Sequence, residues 1–281
     1  MTDLVGTVAA LRRYPVKSML GEVLETSEVS ERGLEGDRTY ALIDVATGKV
    51  ASAKNPRLWR DLLQCQGMGA GDGLRINLPD GRQLAGHDAQ VNAVLSQVLG
   101  RAVTLSSVRE TGAALDRADP EQVIEQGIAA RVDAPLLEIA QAAPLGGFFD
   151  FAPVQVLTVG SLRRIAEAVP EENITLDRYR PNILLELDGS EPFVENAWRG
   201  KTLAIGSKLR LQFVAPTPRC AVPMLPHGRL KMATGAVSAV AQLNRIEMPE
   251  LGPGLFPCLG AFAVVVAPGP VCLGQEVRIA A

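Results

Sequence analysis

The chain is poor in the residue types that most often carry chemistry. It has two histidines and four cysteines in 281 residues, and aromatic side chains make up 4% of it. The cysteines (Cys65, Cys220, Cys258 and Cys272) form no CxxC pair, which excludes zinc-ribbon and iron–sulfur spacings. A disulfide framework is not expected in a chain of this size. No apolar run approaches the roughly 18 residues of a membrane span. The opening MTDLVGTVAALRRYPVKSM has an acid at position 3 and no apolar core with a cleavage site, so it reads as mature sequence and not as a leader. A cytoplasmic protein with no membrane partner is expected. A formal net charge of -3 leaves no general basic face for nucleic acid, so any anion site must be a local cluster.

What is present is β-rich. VGTVAALRRYPV, GEVLETSEVS, TYALIDVATGKVAS and LRINLPDGRQL are short strand-like runs broken by Gly, Pro and Asp-Gly. LPDG has the chemistry of a hairpin turn. VNAVLSQVLG has helical spacing and stops at Gly100. Residues 110–153 are irregular and read as a connector. Beyond it, PVQVLTV predicts a strand and SLRRIAEAV a helix with Ser161 as N-cap. NILLELDG, KLRLQFVAP, FAVVVAPG and EVRIA predict further strands, and a helix is expected from Gly235 to Asn244. The fold class is mainly β with flanking helices (α+β), divided into a barrel-like domain at 1–110 and a second domain at 111–281.

Four cations lie beside Pro or Gly at strand ends or turns: Lys17 in YPVKSM, Arg38 in EGDRTY, Arg180 in RYRPN and Arg219 in PTPRC. Ser18, Asp37 and Asn182 accompany three of them. Arg makes forked bonds to phosphate or carboxylate and Lys acts as a point charge. Brought together they would form an anion pocket, and apart they are ordinary surface cations. Cys220 directly follows Arg219, so it is open to three readings: filler, nucleophile or metal ligand. Cys65 and Cys272 sit in apolar patterns and read as buried small hydrophobes. His227, in LPHG, is either an exposed turn residue or a proton donor. Trp59 and Trp198 are expected to pack, and Asp177 to form an ion pair.

YPVKSMLGE and GLEGDRTYALID resemble the N-terminal β-barrel domain that accompanies MOSC domains. RYRPNILLE, EPFVENAWRG, PTPRC and CLGAFAVVVAPGPVCLGQEV resemble the MOSC domain itself, named for the C-terminal domain of molybdenum cofactor sulfurase. The resemblance implies a β-rich domain packed on a MOSC β-barrel. It also implies kinship with the mitochondrial amidoxime-reducing component and bacterial reductases of N-hydroxylated compounds. Carried over by motif, it makes Cys220 the metal ligand and catalytic centre of a molybdenum–molybdopterin cofactor (Moco). Lys17, Ser18, Arg38, Thr158, Arg180, Asn182 and Arg219 become contacts to that cofactor. The implied activity is reduction of a small N-hydroxylated or N-oxide substrate by oxygen-atom transfer. Without an iron–sulfur extension, electrons must come from a separate donor protein, and without a pyridoxal-phosphate region sulfur cannot be mobilised from cysteine.

The chain departs from the reductase pattern after Cys220. AVPMLPHGRL stands where relatives carry Thr residues and an Asp-Pro-x-x-Gly turn, and Pro218 replaces a polar residue. Three other functions therefore stay open: a persulfide carrier on Cys220, a cofactor-binding module without turnover, and a MOSC fold reused without molybdenum.

Overall fold

The computed structural model describes residues 4–189 and 191–279. Seven strands close into a barrel: β1 (Leu4–Arg13), β2 (Val154–Thr158), β3 (Ile183–Leu187), β4 (Thr202–Ile205), β5 (Leu209–Pro218), β6 (Leu255–Ala267) and β7 (Glu276–Ile279). Around the barrel the order is β2-β3-β1-β7-β4-β5-β6, and β6 returns to β2. Only β2 and β3 run parallel. Closure removes the exposed edges an open sheet would leave.

The expected strands form, and their alternation fills the barrel. In β1 the register shifts between Val8 and Ala10. This bulge turns Val8 and Leu11, three residues apart, to the same interior. They pack with Val156, Leu185, Phe213 and Ile279. Trp198 joins that core against Phe213, ring centroids 4.6 Å apart.

A second layer of short strands covers the outside. Gln66–Met68, Arg75–Asn77 and Gln83–Ala85 form one meander, with Gly81 at φ 86° in the predicted hairpin turn. Ala41–Asp44 pairs with Val103–Ser106. The helix Val91–Leu99 ends at Gly100 in the left-handed region. Its Leu95 packs with Leu42, Trp59, Leu62 and Ile76 in a core of their own. Strands from both sides of residue 110 share sheets. β1 lies between β3 and β7, and Thr26–Ser30 pairs with Gly269–Cys272.

Three sequence expectations change. The helix after β2 spans Val159–Ala168, and its N-cap is Thr158, whose Oγ1 accepts from Ser161 N at 3.2 Å. Ser161 thus lies inside the first turn. Cys65 is buried, but Cys272 is exposed, because its short strand runs at the surface. Residues 110–153 are not featureless: Asp119 caps a helix at Pro120–Gln126, and Ala114–Asp116 pairs with Leu136–Glu138.

Candidate active site

An open cleft lies where β5 ends, enclosing about 1150 Å³ with its solvent-filled mouth included. Lys17, Ser18, Arg38, Arg180, Arg219 and Cys220 all line it. Seven Lys and Arg residues face the cleft against two carboxylates, Glu138 and Asp150. In a chain of net charge -3, that is a concentrated local patch of positive charge.

Backbone geometry shows what these side chains cost to place. Ser18, Arg38 and Arg180 are non-glycine residues with φ of 64°, 49° and 55°. Each forgoes about 1 kcal/mol or more relative to glycine there. Arg180 occupies the left-handed C-cap of the short helix Leu176–Tyr179, a position where glycine is usual. Retaining arginine there keeps a guanidinium on the cleft wall.

Lys17 is 4% exposed and reaches Asp150 Oδ1 at 2.5 Å and the Phe148 carbonyl at 2.9 Å. Lys54 meets the same carboxylate oxygen at 3.1 Å. Burial pulls the Lys17 ammonium down to about 8, partly offset by Asp150. Asp150 is held well below the carboxylate range: burial acts against it, but Lys17 and Lys54 prevail. Ser18 Oγ lies 3.3 Å from Ser52 Oγ and accepts from Ala53 N at 3.1 Å.

Arg38 donates to Asp37, to Asn182 Oδ1 at 3.3 Å and to the Arg180 carbonyl at 3.2 Å. Burial opposes its charge, but Asp37 and Asp150 raise its pKa overall. Arg38 and Arg180 both lie over the Tyr14 ring, 4.9 and 4.3 Å from its centroid. Arg180 has no carboxylate within ion-pair distance among the described residues, and its buried Nη1 has no partner. Burial lowers it to about 10, leaving it cationic at neutral pH.

Arg219 donates Nε to the Leu259 carbonyl at 3.0 Å and Nη1 to the Tyr179 carbonyl at 2.9 Å. The Gln155 amide oxygen also accepts from Nη1, at 3.2 Å, while its nitrogen donates to the Tyr179 and Arg180 carbonyls. Burial lowers Arg219 to about 10, with Tyr179 and Cys220 supporting the charge. Gly260, at φ 81°, makes this junction possible. A Cβ there would lie 2.6 Å from the Val156 carbonyl and 3.4 Å from Arg219 Nη2.

Cys220 lies just beyond β5, 8% exposed, packed with Ala53, Ala221 and Val222. Two predicted contacts do not line the cleft. Asn182 stands behind it, accepting from Arg38 and from Gln155 N at 3.1 Å. Thr158 is buried as a helix cap and donates to Glu195 Oε2 at 3.1 Å. Sequence reasoning missed Lys54, Asp150, Arg117 and Arg178. Lys54 sits beside Asn-Pro and fits the same cation-at-a-turn pattern. Asp150 had no signal within the irregular connector.

His227 is neither exposed nor in this cleft. It is 3% exposed, its Nδ1 lies 2.7 Å from the Leu225 carbonyl, and it lines a second cavity with Tyr14, Leu20 and Arg180. Asp177 pairs with Arg12 at 3.2 Å, as expected.

Lys17 yields a pH prediction. In ligand-free protein, pyrophosphate affinity should fall at least fivefold from pH 7 to 9 as the ammonium deprotonates through about 8. Lys17→Gln should bind weakly at both values, and calorimetric titration checks this. Stability moves the opposite way. Between about 8 and the ordinary 10.5 the unfolded chain binds the extra proton, so Lys17's contribution to stability rises with pH there.

The chain belongs to the MOSC family. Residues 5–118 match the MOSC N-terminal beta barrel domain and residues 147–278 match the MOSC domain. It is 24% identical to the human mitochondrial amidoxime-reducing component 1 over 298 aligned positions, spanning 98% of this chain and 83% of that protein. Among solved structures, the YUAD protein from Bacillus subtilis is 11% identical, covering 99% of this chain and 97% of its own, with a TM-score of 0.46. YiiM from Geobacillus stearothermophilus is 13% identical over 46% of this chain and 55% of its own, with a TM-score of 0.34. No helix among the described residues is long and apolar enough to cross a membrane.

Proposed function

We propose that the cleft binds a molybdenum–molybdopterin cofactor and that the protein is an oxidoreductase reducing small N-hydroxylated or N-oxide compounds. Its electrons would come from a separate donor protein. The observation that carries this reading is the convergence of Lys17, Ser18, Arg38, Arg180 and Arg219 on one cleft that also contains the Cys220 thiol. Membership of a family named for molybdenum cofactor sulfurase supports a function tied to that cofactor. The human relative, by its name, reduces amidoximes.

The residues present fit the group. A pterin phosphate needs cations that are not already neutralised, and Arg180 offers a buried nitrogen with no partner. Among the described residues no three His, Cys, Asp or Glu side chains cluster to hold a metal unaided. A metal here would therefore arrive on its cofactor, with Cys220 as a soft protein ligand. When bound, such a cofactor supplies the metal that accepts an oxygen atom from an N–O group. Lys17, Ser18, Arg38 and Arg180 would hold its anionic groups. Asn182 orients Arg38, and Gln155 with Arg219 fixes the strand end that presents Cys220. Thr158 would act from behind, holding the helix cap and Glu195.

Metal analysis of protein from a host that makes the cofactor tests this. About one molybdenum and one pterin per chain are expected, and Cys220→Ser should lose the metal and all turnover while keeping its circular dichroism. Absence of both metal and pterin from the wild type would overturn the reading. One added sulfur on Cys220, with no metal, would point to persulfide transfer instead.

A further inference from the structure

The cleft has a second wall that the anion site does not use. Leu137, Phe151, Ala215, Met248, Leu251 and Phe262 line it. Phe151 and Phe262 meet with ring centroids 5.7 Å apart at 52°. Phe151 and Leu251 pack on Ala215 and Met248 in one apolar cluster. Removing apolar surface from water is favoured in proportion to area, and a tilted aromatic pair offers a third ring both a face and an edge.

Among the described residues lining the cleft, Thr217 is the one uncharged side chain whose buried polar atom lacks a hydrogen-bond partner. It is 4% exposed, and the unpaired atom is Oγ1. A buried hydroxyl left unpaired is destabilising. Its neighbours Pro216 and Pro218 have no N–H to offer it. Glu138 also lines the cleft, next in sequence to Leu137, and disfavours an anion there.

We infer that this wall is the substrate seat and that it selects uncharged molecules with an aryl or bulky alkyl body, held by a hydrogen bond to Thr217. The inference rests on the reductase reading, in which the cofactor takes the cationic wall. Thr217 then pairs only when substrate is bound, and Phe151 with its neighbours distinguishes large bodies from small.

Calorimetric titration of the isolated protein, with no electron donor, tests the seat using benzamidoxime and acetamidoxime, which share a head group and differ in their bodies. Benzamidoxime should bind at least tenfold more tightly. Phe151→Ala should reduce that ratio below threefold. Thr217→Val should weaken both probes about five- to tenfold and leave the ratio intact, with Thr217→Ser restoring affinity. The ligand-free Thr217→Val protein should melt about 2 °C higher, because an unpaired buried hydroxyl is gone. Equal affinity for the two probes, binding of neither, or unchanged affinity in Thr217→Val would overturn the inference. Molybdenum measured on the same samples separates the two claims. Aryl preference in metal-free wild type keeps the seat and sinks the reductase reading, whereas full metal without aryl preference sinks the seat alone.

Discussion

Arg178→Met should destabilise the protein by about 3 kcal/mol, the largest loss expected from any single change of a charged residue here. Arg178 is 1% exposed, and its guanidinium bonds to carbonyls with no ion pair among the described residues. Its guanidinium donates to the carbonyls of Asn173 at 2.7 Å, Pro223 at 3.1 Å, Leu225 at 3.4 Å and Lys231 at 2.8 Å. It therefore ties the segment after Cys220 to the helix before β3. Methionine would fill the volume and remove the desolvation of a charge, but it leaves buried acceptors with no donor. The deficit should be local. Hydrogen exchange should accelerate at Met224 and Ala233, whose amides bond to the Ala221 and Met224 carbonyls, and much less within the barrel. Urea denaturation gives the magnitude, and a loss below 1 kcal/mol would show that the carbonyls find water instead.

Acid should produce a second large effect, through His227. Burial, with Arg180 and Arg178 adding to it, drives the imidazole from 6.5 to about 4. Between those values the unfolded chain carries a proton on this residue that the folded chain does not. The stability contributed is complete above pH 6.5 and drains away as pH falls towards 4. The slope is about 1.4 kcal/mol per pH unit and the total about 3 kcal/mol. His227→Asn can still donate to the Leu225 carbonyl and cannot titrate. Its stability should exceed that of the wild type increasingly below pH 6, after normalising both at pH 7. Parallel curves for the two proteins would mean that the imidazole titrates normally.

The convergence of the cations was legible because these residues sit at turns, next to Pro and Gly, in motifs whose order survives along the chain. Lys17, Ser18, Arg38, Arg180, Arg219 and Cys220 do share one cleft. Their counter-charge was not legible. Asp150 reaches Lys17 across 133 positions of sequence, and nothing local in FFDFAP marks it as a partner. Left-handed backbone at Ser18, Arg38 and Arg180 was equally hidden, since these residue types seldom adopt it. Thr158 and Ser161 both look like helix caps. The choice fell to Thr158 because β2 runs directly into the helix and buries it against Glu195. His227 lies in a Pro-Gly turn that reads as surface, yet Arg178 draws that segment inward.

The placement of β1 between β3 and β7 fixes an order of events during biosynthesis. The first strand leaves the ribosome with neither neighbour yet made, and the last strand follows roughly 260 residues later, about 15–50 s at ordinary elongation rates. Until then the apolar side of β1 has no closed barrel to enter, and for more than half of that interval Lys17, Ser18 and Arg38 have no Arg180, Arg219 or Cys220 to face. Assembly of the cation cluster is thereby confined to a late stage of synthesis. A nascent fragment carrying half of the cations has neither the Arg180 guanidinium nor the Cys220 thiol that complete the cleft.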